Sequence, residues 1–146
     1  MANEVPYAFP VELLSGTHNF ASDTFKLALY TASPYNTAST VYVTASETSG
    51  TEYSAGGNTL TGNAVSNVAN YATVDFANSV WGSHTPASFS AAFGAIYNTN
   101  AANKLIVVLD FGGTKSCSNG TFTVTFPSPT SGSPTGADAL LSIKSN

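Results

Sequence analysis

Hydrophobic residues along this chain recur with period two, and the residues that carry the pattern are mostly β-branched or aromatic. In Thr24–Tyr30, Phe25, Leu27 and Leu29 fall on one face. Tyr71–Phe76 and Ala92–Tyr97 are similar short segments, and Thr121–Phe126 alternates cleanly through Phe122, Val124 and Phe126. Lys104–Phe111 is instead a continuous apolar run, which predicts a central strand covered on both faces. Ala139–Ile143 closes the chain, with weaker candidates at Thr40–Thr44 and Thr59–Val68. Together these predict about eight strands.

Between the runs lie Ser33-Pro34, Gly56-Gly57, Gly112-Gly113 and Asn119-Gly120, residues that accept turn geometry at low cost. Asn119-Gly120 is expected to turn the chain out of the Lys104–Phe111 strand into the next. Its overlap with the Asn119-Gly120-Thr121 glycosylation sequon is read as turn chemistry, because no secretory signal is seen. Pro127–Pro134 reads as an exposed loop, and Asn78–Pro86, which holds Trp81, as turn-like. One short helix is expected around Val11–Ser15, after Pro10 and before Gly16. Strands of this length with Gly- and Pro-rich turns predict a single all-β domain over residues 1–146, a β-sandwich with residues 1–10 as an N-terminal arm. A jelly roll is the favoured form. The runner-up is an immunoglobulin-like sandwich, although the Cys…Trp…Cys framework of antibody domains is absent.

Composition changes the picture through charge. Only 8% of the 146 residues are charged: four lysines, no arginine and eight acids, for a net charge of −4. An average soluble domain has about 25%. Four dispersed lysines cannot neutralise a run of phosphates, so nucleic acid is not an expected partner. Ser, Thr and Asn supply the polarity, 51 residues in all. Such a surface hydrogen-bonds without the cost of desolvating charge, and suits a protein largely covered by neighbours. No apolar run approaches the ~20 residues of a membrane span. Cys117 is the only cysteine, so no internal disulfide can form.

Candidate chemistry is thin. His18 and His84 lie in no recognisable motif, and no G-x-S-x-G elbow, phosphate loop or zinc spacing exists. Asp75 and Asp110 lie on or beside strands and are expected to cap turns or face solvent, and Glu47 and Glu52 flank a loop. No enzyme activity, cofactor or metal is therefore expected. What remains is surface. Pro6, Tyr7, Phe9 and Pro10 form an apolar, proline-stiffened segment that could reach across a partner, or fold back over its own core. Trp81 is the fifth candidate, as an interface anchor, a sugar-stacking platform or a plug for one end of the sandwich.

Over roughly residues 10 to 127 the ordered segments resemble a known family. Val11-Glu-Leu-Leu-Ser-Gly-Thr-His-Asn-Phe20 and Asp23-Thr-Phe-Lys-Leu-Ala-Leu-Tyr-Thr31 are similar to the start of a family of small structural proteins of tailed phages. Glu47-Thr-Ser-Gly-Thr-Glu-Tyr-Ser-Ala-Gly-Gly57, Gly94-Ala-Ile-Tyr-Asn98, Val108-Leu-Asp-Phe-Gly-Gly113 and Gly120-Thr-Phe-Thr-Val-Thr-Phe-Pro127 continue the likeness. The resemblance implies a virion component, best fitted by the jelly-roll cement (head decoration) proteins of short-tailed phages. Its implied partners are the major capsid protein and further copies of itself, as homodimer or homotrimer, on the outer capsid surface after synthesis in the host cytoplasm. A tail or receptor-binding, carbohydrate-binding module is the alternative. The family lends no catalytic residues.

Overall fold

The computed structural model describes residues 3–68, 70–127 and 140–144, and the chain there is mostly strand. One α-helix, α1 (Ala8–Leu14), precedes β1 (Phe25–Tyr30). Then follow β2 (Asn58–Thr59), β3 (Ala64–Val68), β4 (Tyr71–Asp75), β5 (Ser79–Trp81), β6 (Ala87–Asn98), β7 (Lys104–Gly120), β8 (Phe122–Val124) and β9 (Leu141–Lys144). A 3-10 turn, Thr99–Ala101, joins β6 to β7. All pairing is antiparallel, in sheets of order β2-β1-β6-β7, β3-β4-β9 and β5-β8.

Three of these pairs are nested, β6 with β7, β5 with β8 and β4 with β9. The other edge of β6 is taken by β1, outside that nested set.

The four-stranded sheet is covered on both faces. Phe25, Leu27 and Leu29 of β1 point into the main core, where Phe76, Trp81, Phe89, Phe122, Val124 and Phe126 meet them. Val74 of β4 and Leu141 of β9 pack against the same core, so the small sheets form the opposing layer of a sandwich. Ala28 and Tyr30 point the other way, into a second cluster with Tyr35, Ala95, Tyr97, Leu105 and Val108. That cluster lies beneath the irregular chain of residues 31–57.

Tyrosine hydroxyls fasten this covering chain. Glu47 is the hub: its Oε2 accepts from the Tyr42 hydroxyl at 2.7 Å, and its Oε1 accepts from the Tyr53 hydroxyl at 2.8 Å and the Gly56 amide at 2.7 Å. The Tyr97 hydroxyl donates to the Gly56 carbonyl at 2.8 Å, and Tyr42 stacks on Tyr97 at 4.6 Å. The Tyr30 and Tyr35 hydroxyls meet at 2.6 Å, and Tyr30 also donates to the Val43 carbonyl. Burial pushes the hydroxyls of Tyr30, Tyr35, Tyr42 and Tyr53 above their ordinary range, and raises that of Tyr97 to about 12. Gly57 closes the fastening: at φ +69, a Cβ there would stand 1.8 Å from the Leu27 carbonyl oxygen.

Several expectations need correction. Lys104–Phe111 is buried on both faces through Leu105–Leu109, yet β7 ends its sheet rather than sitting in its middle. Its free edge is taken instead by Glu4, which exchanges two 2.8 Å backbone bonds with Val108, and by Thr40, whose carbonyl accepts from the Leu105 amide. Thr40–Thr44 is accordingly no strand but a single bridge, Val41 to Lys104. Gly112-Gly113 does not separate two strands. It lies inside β7, in a bulge where the partners of Ala91 and Phe93 jump from Lys115 to Asp110. Asn119-Gly120 does not make a hairpin either, because β8 pairs with β5. The turn-like stretch around Trp81 contains strand β5, and the helix begins earlier than Val11. Beyond Pro127, the expected Pro/Ser/Thr loop lies outside the described residues, as does Ala139.

Candidate functional site: the outward face of the N-terminal helix

The chain before β1 is fixed to the body by three devices. Glu4 pairs with β7, the Tyr7 amide donates to the Thr37 carbonyl at 2.9 Å, and α1 docks Phe9 and Leu13 on the main core. Pro10 does not break the helix, because it sits in the first turn, where a backbone N–H has no intrahelical partner to lose. Gly16, at φ +75, ends it, with its amide donating to the Leu13 carbonyl and the Thr17 amide to the Glu12 carbonyl.

Spacing divides the helix into faces. Phe9 and Leu13, four apart, point inward. Tyr7, Val11 and Leu14, at i, i+4 and i+7, point outward and are 73%, 69% and 89% exposed. Three large apolar side chains in one solvent-facing stripe have no packing role within the described chain. Val5, just before, is exposed as well.

Of the five residues expected at an interface, Tyr7 and Pro10 are exposed. Pro6 and Phe9 are buried, so the arm is folded back over its own body rather than reaching outward. Trp81 is also buried, stacked on Tyr53 at 6.2 Å and edge-on to Phe89 and Phe122. It can serve as neither anchor nor sugar platform in this conformation. Its indole N–H is buried with no hydrogen-bond partner among the described residues. Val11 and Leu14, the other exposed members of the stripe, lie outside those five. The signal that could have found them is the second helical stripe that runs from Tyr7 through Val11 to Leu14.

Glu12 faces sideways, into a polar cluster that ties α1 to the end of the β6–β7 hairpin. Its Oε1 pairs with the Lys104 ammonium, and its Oε2 lies 3.1 Å from His18 Nε2. Burial pushes the Glu12 carboxyl up, but the hydrogen bonds from Lys104 and His18, with their charges, outweigh it and hold the carboxyl below its ordinary value. On the far side, His18 Nδ1 lies 3.1 Å from Asn98 Nδ2, which also donates to Asp23 Oδ2 at 2.7 Å.

Other candidate side chains are occupied structurally. His84 is exposed beside the Ser83 hydroxyl. Asp75 accepts from the Phe76 amide, and Asp110 from the Gly112 amide, both at 2.8 Å. Cys117 packs against the core. Among the described residues, no group of three or more His, Cys, Asp or Glu side chains is placed to hold a metal ion. A groove of about 500 Å³ opens between residues 9–21 and the β3-β4-β9 sheet, lined mainly by apolar side chains such as Leu13, Phe20, Val74 and Leu141.

No protein-family model, curated protein or solved structure matches this chain.

Proposed function

We propose that this chain is a structural virion protein of a tailed phage, a capsid cement protein that binds the outer surface of the head and ties neighbouring capsomers together. The observation that carries the reading is the Tyr7–Val11–Leu14 stripe. It is an apolar contact face, held in fixed geometry by the buried Phe9 on the opposite side of the same helix. The charge-poor, Ser/Thr/Asn-rich surface around it suits close, largely uncharged contact. Cementing needs no single tight interaction, because contacts repeated by the symmetry of the shell add as avidity. The sequence resemblance to jelly-roll cement proteins, and the nested strand pairs, point the same way.

On this reading the major capsid protein and further copies of the chain are its partners, and the outer shell is its place. The tail or receptor-binding alternative calls for an exposed aromatic platform. Trp81 and Tyr30, Tyr35, Tyr53 and Tyr97 are all buried, and the exposed Tyr7 stands in line with the aliphatic Val11 and Leu14 rather than beside a second exposed ring.

The test replaces the stripe and leaves the helix. The triple variant Tyr7→Ser, Val11→Ser, Leu14→Ser alters exposed positions only, so its unfolding midpoint should stay close to that of the parent chain. Binding to capsids stripped of the protein should fall steeply. Parental occupancy by the folded variant would remove the stripe as the docking face.

A further inference from the structure

We propose that His18 is an acid-sensitive latch that holds α1 on the body of the protein. Its side chain is wholly shielded from solvent and bridges two elements, with Nε2 at 3.1 Å from Glu12 Oε2 on α1 and Nδ1 at 3.1 Å from Asn98 Nδ2 at the end of β6. The orientation of the Asn98 amide decides which ring nitrogen carries the proton. Asn98 is fully buried, its Nδ2 donates to Asp23 Oδ2 at 2.7 Å, and its Oδ1 accepts from the Asn100 amide at 2.9 Å. Turning the amide over would set oxygen against the Asp23 carboxylate and N–H against the Asn100 N–H. The amide is therefore fixed with a donor facing the ring. His18 Nδ1 must accept and carries no hydrogen. The single ring proton is on Nε2 and is donated to Glu12.

This arrangement has no place for a second proton. The charged and titratable groups around the ring are Glu12 from α1, Asp23 from the segment before β1 and Lys104 from β7. Glu12 already receives the Nε2–H, and its other oxygen holds the Lys104 ammonium. The Asp23 carboxylate is engaged by the Asn98 side chain and by the Asn19 amide at 2.9 Å. A proton added at Nδ1 would point at the Asn98 N–H, as a buried donor with no acceptor. Neither nearby carboxylate can supply the missing acceptor without dismantling the Asn98 contacts. The ring relieves the conflict by leaving. Phe9 then loses the ring stacked on it at 5.6 Å and Glu12 loses one of its two side-chain partners, which loosens α1 against the body. β1, β6 and β7 keep their pairing. If the stripe on α1 is the docking face, acid also weakens docking. That consequence alone rests on the cement reading.

The experiment uses the full chain between about pH 8 and 5, above the ordinary carboxylate range, so that Glu12 stays ionised throughout. Ring nitrogen-15 shifts report the protonation of His18, and amide hydrogen exchange, corrected for its intrinsic pH dependence, reports the docking of residues 9–17. The expected result is the Nε2–H tautomer at neutral pH. Protection of residues 9–17 should fall by about tenfold or more, the scale of one lost buried hydrogen bond, with the same midpoint as the ring. Protection in β1 and β6 should hold. The His18→Gln variant, which can donate to Glu12 and accept from Asn98 without titrating, should show no such fall. Protons on both ring nitrogens at neutral pH, unchanged protection through the ring titration, or an equal fall in His18→Gln would each overturn the latch. If His18→Gln does not fold, the two wild-type midpoints decide alone, because the latch requires them to coincide.

Discussion

Trp81 is the residue whose surroundings most constrain what it can do. It is packed by Tyr53, Phe89 and Phe122, and its indole N–H finds no acceptor among the described residues. Trp81→Ala should therefore lower the unfolding free energy by ~3–5 kcal/mol, the usual cost of emptying an aromatic core position. Trp81→Phe removes the unpartnered donor and should cost clearly less, which a denaturant titration of both variants will show. Tyr53 behaves in the opposite way. Its hydroxyl donates to Glu47 and accepts from the Leu29 amide at 2.9 Å, so Tyr53→Phe leaves both groups short and should cost ~1–3 kcal/mol. Gly57→Ala should be worse than an exposed-glycine change such as Gly112→Ala. Both positions have positive φ, but only at Gly57 does the new Cβ meet backbone.

At the scale of elements, α1 separates stability from contact. Phe9→Ala should destabilise by ~3–5 kcal/mol, while Leu14→Ser should leave the unfolding free energy within about half a kcal/mol of the parent's. Helix, core and stripe were only partly legible in the sequence. Pro10 reads as a helix boundary, whereas it occupies the first turn and costs nothing there. β8, with Phe122 and Val124 buried and Thr123 exposed, follows its alternation closely, whereas β1 is buried on both faces because the chain of residues 31–57 covers the side that its period-two pattern leaves open. β5 was hidden because three residues among Gly, Ser, Asn and Pro carry too short a pattern to register. The 3-10 link after β6 depends on Asn98 capping the turn and on left-handed Ala102 and Asn103, and nothing periodic announces it. Nor does periodicity reveal that Gly112-Gly113 forms a bulge and not a turn, because only the partner strand defines which.

At the scale of the whole molecule, the covering chain of residues 31–57 sets the response to alkali. Burial raises the hydroxyls of Tyr30, Tyr42 and Tyr53 and takes Tyr97 to about 12, against 10.0 for a free tyrosine. The folded state thus prefers their neutral forms. The stability they lend is fully present below pH 10 and is lost as the pH climbs through the raised values. At the acid end Glu12 works with the reverse sign. Its lowered carboxyl lends stability above its ordinary value of 4.5, and that stability is lost as the pH falls through the lowered one. Unfolding midpoints should accordingly decline above about pH 10, earlier than in a chain whose tyrosines are exposed. The wiring behind this was not legible beforehand, since Glu47 shows in the sequence only as a loop acid and its three donors come from residues 42, 53 and 56.

The central claim, that this chain cements a phage head, is tested most directly by counting its copies in purified virions by quantitative mass spectrometry against the major capsid protein. The account predicts copies in proportion to the capsomers of the shell. A count matching the low-order symmetry of a tail, or no copies in the particle, would contradict it.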